Sequence, residues 1–332
     1  MTMPHPSYEY AMGRISVFAK RMLSAAQLRK ISEAADFGEA LALLLETGYG
    51  GNITPGQIEH TEIDYFIREQ LQMSRKMVRD LTPDPELTGL FLLEVDTHNI
   101  KTLLKARLMG IEVPDVLIDG GVFPLDMLKE CINSQNYDRL PDAYRITLHK
   151  IESDLQRNVD PLLFSAQLDC AMFRHIKTVL DRRSEKSFVR DYFTLFADFQ
   201  NARSVIRSRL LHWPADKLKP LLLESGDISQ HVFLEAMETP IEQLGAKLNR
   251  GPYGKLISQA IEEYAATGNT PILKHRMEQA LMGILKSVKW DVDSLGPIIG
   301  YLMGREAEAK ALRIIFGAKR TGFELRLPDL YA

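Results

Sequence analysis

Cysteine is nearly missing from this 332-residue sequence, whose two thiols are Cys131 and Cys170. Two cysteines cannot build a disulfide framework or a four-ligand zinc site, and free thiols suit a reducing compartment. Long apolar runs are missing too. Charged residues interrupt every stretch before the roughly 18 residues that crossing a bilayer requires, so no membrane span is expected. The start, Met1-Thr-Met-Pro-His-Pro, has no basic segment leading into an apolar block, and no signal peptide is expected. Neither sign of charge dominates: 41 Lys and Arg stand against 44 Asp and Glu, a formal net charge of −3. A dedicated binder of nucleic acid or of anionic membranes would carry a basic excess. What remains is a soluble, globular composition, 45% hydrophobic and 26% charged, at a length that predicts two or three domains.

Catalytic signatures are equally scarce. Eight histidines are scattered, and none forms His-Glu-x-x-His or pairs with a cysteine at metal spacing. The nearest approach to a phosphate loop, Gly251-Pro-Tyr-Gly254-Lys255-Leu256, has the wrong glycine spacing, and Leu256 cannot hold magnesium. It reads as a turn before a helix. No Gly-x-Gly-x-x-Gly opens a helix, Gly-x-Ser-x-Gly is absent, and no acidic pair marks a general acid and base. The sequence predicts no catalytic residue, no metal ligand and no cofactor.

The hydrophobic periodicity that is present is helical. Ile63, Phe66, Ile67, Leu71, Met77, Val78 and Leu81 draw one stripe with Glu, Arg, Gln and Lys opposite. A longer stripe runs from Tyr144 to Leu180, with Pro161 marking a kink or a break into two helices. Ile257–Ala266, Ile272–Val288 and Ile298–Phe316 continue the pattern, while Glu112–Leu117 is the one modest strand candidate. The expected fold class is all-α.

The chain also repeats itself. Asp96-Thr-His-Asn99-Ile-Lys101-Thr-Leu-Leu-Lys105-Ala-Arg107-Leu matches Asp198-Phe-Gln-Asn201-Ala-Arg203-Ser-Val-Ile-Arg207-Ser-Arg209-Leu, 102 residues later. Asp, Asn, three basic positions and the aliphatics between them coincide. A weaker third copy lies near Arg305-Glu306-Ala-Glu308-Ala-Lys310-Ala-Leu-Arg313, with Ala309 and Ala311 where Asn or a basic residue would stand. A second element recurs loosely at Leu28–Tyr49, at Leu117-Ile-Asp-Gly120-Gly121 through Tyr137, and at Leu223-Glu-Ser-Gly226-Asp227 through Tyr253. Ser32, Asp227 and Ser229 are the cap residues expected for its helices. The joints Val113-Pro114-Asp115 and Trp213-Pro214-Ala215-Asp216 divide the chain into three expected domains, 1–113, 114–214 and 215–332. Lys101 with Lys105, and Arg203 with Arg207, form basic ridges at i,i+4 spacing. The aromatic start Tyr8-Glu-Tyr10 reads either as a terminus tied to its own domain or as an arm that touches a partner.

Tyr10-x-x-Gly13-Arg14-Ile15, the two Asp-x-x-Asn helices and the ending Tyr301-x-x-x-Arg305-Glu306-x-Glu308-x-Lys310-x-Leu312-Arg313 together resemble the C subunit of the prokaryotic V-type (A/V-type) ATP synthases. The eukaryotic counterpart of that family is the d subunit of the vacuolar ATPase. The resemblance spans essentially the whole chain. It implies a non-catalytic part of the central stalk, built of three similar helical domains in a pseudo-threefold funnel. It implies a socket joining the rotor stalk, made of the D and F subunits, to the membrane proteolipid ring during proton or sodium transport. It further implies a peripheral location on the cytoplasmic face, reached through protein contacts, with no direct lipid insertion. Asn99, Lys101, Arg107, Asn201, Arg203, Arg209, Glu308 and Arg313 are then the candidate residues that either lock the domains together or line the socket. The competing reading is a helical scaffold or adaptor that binds RNA or protein through the basic ridges, and the −3 balance counts against nucleic acid. A helical enzyme is a third reading, and it predicts a deep pocket with perturbed carboxylates.

Overall fold

The computed structural model describes residues 6–51, 58, 62–155 and 161–323. Every regular element among them is helical, as the periodicity predicts. The backbone groups into two compact units, residues 1–91 with 285–332, and residues 92–284.

The first unit collects α1 (Tyr8–Ala19), α2 (Ala25–Glu33), α3 (Phe37–Glu46), α4 (Ile63–Leu81) and α5 (Pro85–Leu90) around a helix from the far end of the chain, here α16 (Gly296–Thr321). The packing follows from the stripes. α4 buries Ile63, Phe66, Ile67, Leu71, Val78 and Leu81 on one face, and α16 presents Ala309, Leu312, Ile315 and Phe316 to the same core. Leu28, Ile31, Phe37, Leu41 and Leu44 of α2 and α3 close it, with the Phe37 and Phe316 ring centres 5.1 Å apart. Fully burying each such side chain contributes about 1.5–3 kcal/mol. Caps set the helix starts. Ser24 and Gln27 form a capping box on α2, and the Asp36 carboxylate accepts from the Glu39 N–H at 2.9 Å to open α3. Ser32, expected as a cap, lies inside α2, where its hydroxyl donates to the Arg29 carbonyl at 2.7 Å. A serine hydroxyl within a helix bonds a carbonyl of the preceding turn as readily as it caps a start.

The second unit runs through α6 (Leu93–Met109), α7 (Leu125–Ser134), α8 (Asp142–Leu155), α9 (Pro161–Arg182), α10 (Phe188–Leu210), α11 (Ala215–Leu218), α12 (Gln230–Glu235), α13 (Ile241–Leu248), α14 (Gly254–Thr267) and most of α15 (Pro271–Ser287). α8 and α9 are separate helices, and Pro161 is the first residue of α9, where its missing N–H costs nothing. The strand candidate Glu112–Leu117 is a loop. Pro114 removes a ladder donor from its middle and leaves too few residues on either side to pair. The segment Gly251–Tyr253 is the turn the sequence predicts, with α14 starting at Gly254. Leu195, Phe199, Val205 and Ile206 of α10 sit in one core with Phe233, Leu244, Ile257 and Leu281.

Candidate functional site

Asp96 and Asn99 lie one turn apart on α6, and both are buried. A carboxylate removed from water is costly unless it is hydrogen-bonded. Here the two Asp96 oxygens accept the Val122 and Phe123 amides at 2.7 and 3.1 Å. The Asn99 amide group reads both sides of a single residue. Its Nδ2 donates to the Ile118 carbonyl at 2.7 Å and its Oδ1 accepts the Ile118 N–H at 2.9 Å. Two side chains of one helix thereby hold the loop 118–123 through four bonds, each contributing about 1 kcal/mol. The loop passes so close that a Cβ at Gly121 would fall 2.1 Å from Asp96 Oδ1. Glycine is required there by the approach, not by its dihedral freedom.

α10 repeats the device. Asp198 accepts the Asp227 and Ile228 amides at 3.0 and 3.2 Å. Asn201 donates to the Leu223 carbonyl at 2.9 Å and accepts the Leu223 N–H at 2.8 Å. A Cβ at Gly226 would fall 1.9 Å from Asp198 Oδ1. The third basic position of the signature is shared as well, because Arg107 and Arg209 both reach carbonyls at the end of the following short helix. Arg107 Nη1 donates to the Ile132 carbonyl at 2.6 Å. Arg209 Nη1 donates to the Thr239 and Ala236 carbonyls at 2.6 and 3.3 Å. Arg107 also ion-pairs with Glu152, a carboxylate that accepts the Tyr137 hydroxyl at 2.6 Å. The first basic position diverges. Lys101 pairs with Asp169 on α9 at 2.5 Å, whereas Arg203 donates to Gln200 at 2.6 Å, and burial lowers its pKa against the pull of Glu278.

On α16 the corresponding role falls to Glu308. Its Oε1 accepts the Leu23 N–H at 2.6 Å, much as Asn201 takes Leu223, and its other oxygen is held by Arg305. Arg305 stands three residues before Glu308, the offset that separates Asp198 from Asn201. Its Nε donates to Ser74 at 3.1 Å and its guanidinium lies 5.2 Å from the Tyr49 ring centre. Next to it Arg75 pairs with Glu306 at 2.6 Å. Lys319 donates to the Ala34 carbonyl at the end of α2, echoing Arg107 and Arg209. Arg313 is exposed, and its charge acts on the Tyr49 phenol.

Burial governs the titrations. It pushes Asp198 up to about 7 despite the two amides that oppose it, and it raises Glu308 against Arg305 and the Leu23 N–H. The Cys170 thiol is pushed up to about 12, and Cys131 is raised for the same reason. These carboxylates are enclosed by amides and guanidinium groups, so they hold backbone and offer no surface to a substrate. Among the described residues no group of three or more His, Cys, Asp or Glu could hold a metal ion, and no helix is long and apolar enough to cross a membrane.

Of the sequence candidates, Asn99 with Arg107 and Asn201 with Arg209 are thus brought together as paired elements of one clamp, and Glu308 carries its third version. Lys101 and Arg203 brace their helices, and Arg313 stands apart. Gly121, Gly226 and Arg305 complete the clamps but carry no signal in isolation. The recurrence of a glycine at a similar distance after each Asp-x-x-Asn is the trace they leave in the sequence.

The profile of the family described as "ATP synthase (C/AC39) subunit" matches residues 11–325. The C subunit of the A-type ATP synthase of Methanocaldococcus jannaschii is 21% identical, covering 94% of this chain and 82% of its own length. The corresponding protein of Methanothermobacter thermautotrophicus is 24% identical over 94% of this chain and 84% of its own. The C subunit of the V-type sodium ATPase of Enterococcus hirae is 21% identical over 75% of each. With a family match running nearly end to end, the chain belongs to the C/AC39 subunits of the ATP synthases, a non-catalytic component of the A/V-type complex.

Proposed function

We propose that the chain is the socket of a central stalk, joining the D and F subunits of the rotor stalk to the membrane proteolipid ring on the cytoplasmic face, in a complex that moves protons or sodium ions. Three modules built on α6, α10 and α16 would surround the stalk end with rough threefold likeness. The family match over residues 11–325 carries this reading. The clamps support it physically. A part that relays torque must not shear, and closely packed helices tied by buried, fully satisfied hydrogen bonds form a body of low compressibility. Three of the four ridge residues have partners within the fold, Lys101 in Asp169, Lys105 in the Phe164 ring and Arg203 in Gln200, while Arg207 is exposed. Exposed ridge cations in a chain of net charge −3 do not supply the basic excess that nucleic acid requires.

Affinity-tagged chain purified from gently solubilised membranes is the test. The rotor stalk and proteolipid proteins are expected to co-purify in fixed proportion. Recovery of the tagged chain with neither of them would refute the socket.

A further inference from the structure

Because α6 and α10 carry the same clamp, each serves as a control for the other. They agree in the Asp, Asn and glycine of the clamp and part company again at their C-terminal tips. α6 ends at Gly110, φ +63°, followed by the Ile111 N–H donating back to the Ala106 carbonyl at 3.0 Å. α10 ends with the same bond, from Trp213 N–H to the Ser208 carbonyl at 2.8 Å, but the left-handed residue is His212, φ +52°. A side chain with a Cβ is disfavoured in that conformation, which glycine adopts readily. Gln135 and Ser184 adopt the same conformation, but at His212 the sister copy shows that glycine would serve the fold, which leaves the side chain open to another use.

The surroundings of His212 say what. Leu210 and Leu211 are 55% and 47% exposed at the helix end. Arg207, His212, Lys217 and Lys219 are exposed in the same segment, and the Lys217 ammonium lies 5.7 Å from the half-buried Trp213 ring centre. Asp216 is the one acidic residue between 207 and 219. In the sister copy the segment after the helix carries Glu112 and Asp115 instead. Exposed Arg207, Lys217 and Lys219 beside two exposed leucines therefore set the α10 tip apart from the α6 tip, in a chain whose overall charge is negative.

We propose that the tip of α10, residues 207–219, is a docking knob for a protein partner that presents acidic groups around an apolar pocket. The proposal rests on the reading of the chain as a component of the rotary complex. Charge complementarity would steer the encounter and the two leucines would fill the pocket. A lipid surface fits less well, because the tip's one large aromatic ring is half-buried against its own lysine and only two leucines remain to insert. Single-stranded nucleic acid fits less well for the same reason, since a Trp213 face that would stack a base is covered by Lys217.

The chain has two tryptophans, so Trp290→Phe leaves Trp213 as a reporter beside the knob. This full-length variant is titrated with the purified stalk proteins, with the detergent-solubilised membrane sector lacking this chain, and with phosphatidylcholine vesicles with and without phosphatidylglycerol. Trp213 emission should shift to the blue with one protein sample and with neither vesicle. Adding Lys217→Glu with Lys219→Glu, or Leu210→Ser with Leu211→Ser, should weaken that binding by about tenfold or more. Salt should weaken it in the parent and not in the charge-reversed variant. His212→Gly should unfold at a higher temperature yet bind more weakly, an outcome that loss of folding cannot mimic. If the parent binds a protein sample and all three variants match it, the knob is wrong while the socket stands. Vesicle binding in place of protein binding overturns the knob in favour of a lipid contact. If the parent binds neither protein sample, the knob and the socket fail together.

Discussion

Gly121 and Gly226 are the residues on which the two clamps close. A methyl group at either position would sit inside van der Waals contact with a buried carboxylate that is already held by two amides. The carboxylate cannot retreat without leaving those amides unsatisfied, so overpacking adds to lost hydrogen bonds. Gly121→Ala and Gly226→Ala are each expected to destabilise the protein by about 2–4 kcal/mol in urea titrations, whereas Gly13→Ala, on an open face of α1, should be neutral or stabilising. Asp198 makes a pH prediction. Its folded pKa, about 7, lies above its ordinary value of 3.8. Between those values the folded chain holds a proton that the unfolded chain has released, so stability falls as pH rises through this window. Full expression of that shift is on the order of 4 kcal/mol. Asp198→Asn should flatten the slope of stability against pH between about 4 and 7, apart from any constant offset caused by its changed hydrogen bonds. An unchanged slope would assign the buried proton elsewhere. The thiols give a third check. With Cys170 raised to about 12 and both cysteines buried, thiolate-specific reagents should label neither at neutral pH until denaturant is added.

At the scale of elements, the long helices were legible from their stripes, and Asp96-x-x-Asn99 and Asp198-x-x-Asn201 were legible as a repeat. Their purpose was not. One-turn spacing places two polar side chains on one face, but an inward and an outward face look alike when aliphatics flank both. Burial of Asp96 and Asn201 is settled by the loops that return 20 to 30 residues later, and sequence periodicity has no view of such returns. The third copy was harder still. Arg305 replaces the aspartate, and Leu23, which supplies the amide for Glu308, lies 285 residues away from it. Ser32 misled for a related reason, since a serine near a helix end satisfies itself on a carbonyl as readily as it caps. The pairing of helix with loop can be tested directly. Asn201→Leu leaves both the N–H and the carbonyl of Leu223 without their partner and should cost about 2–4 kcal/mol. Arg203→Ala on the same helix should cost less, because it removes a bond between neighbours on one helix.

At the scale of the whole molecule, residues 92–284 form one unit from a continuous stretch, while residues 1–91 share a core with 285–332. Continuity predicts independence. A fragment of residues 92–284 should show a cooperative thermal transition by circular dichroism. A fragment of residues 1–91 should not, because Phe316, Leu312 and Ile315 of α16 are missing from its core. Restoring residues 285–332 as a fusion should recover the transition. A cooperative transition in residues 1–91 alone would show that α16 is dispensable to that core.

The tie between Leu23 and Glu308 has a consequence for synthesis. During translation α1 to α3 emerge well before the surface they need, which is made 285 residues later, so the ribosome delivers residues 92–284 ready to collapse while those helices wait. They expose apolar faces throughout that interval. Codon tempo and chaperone supply while α16 is made should therefore govern yield more strongly than events while α1 is made.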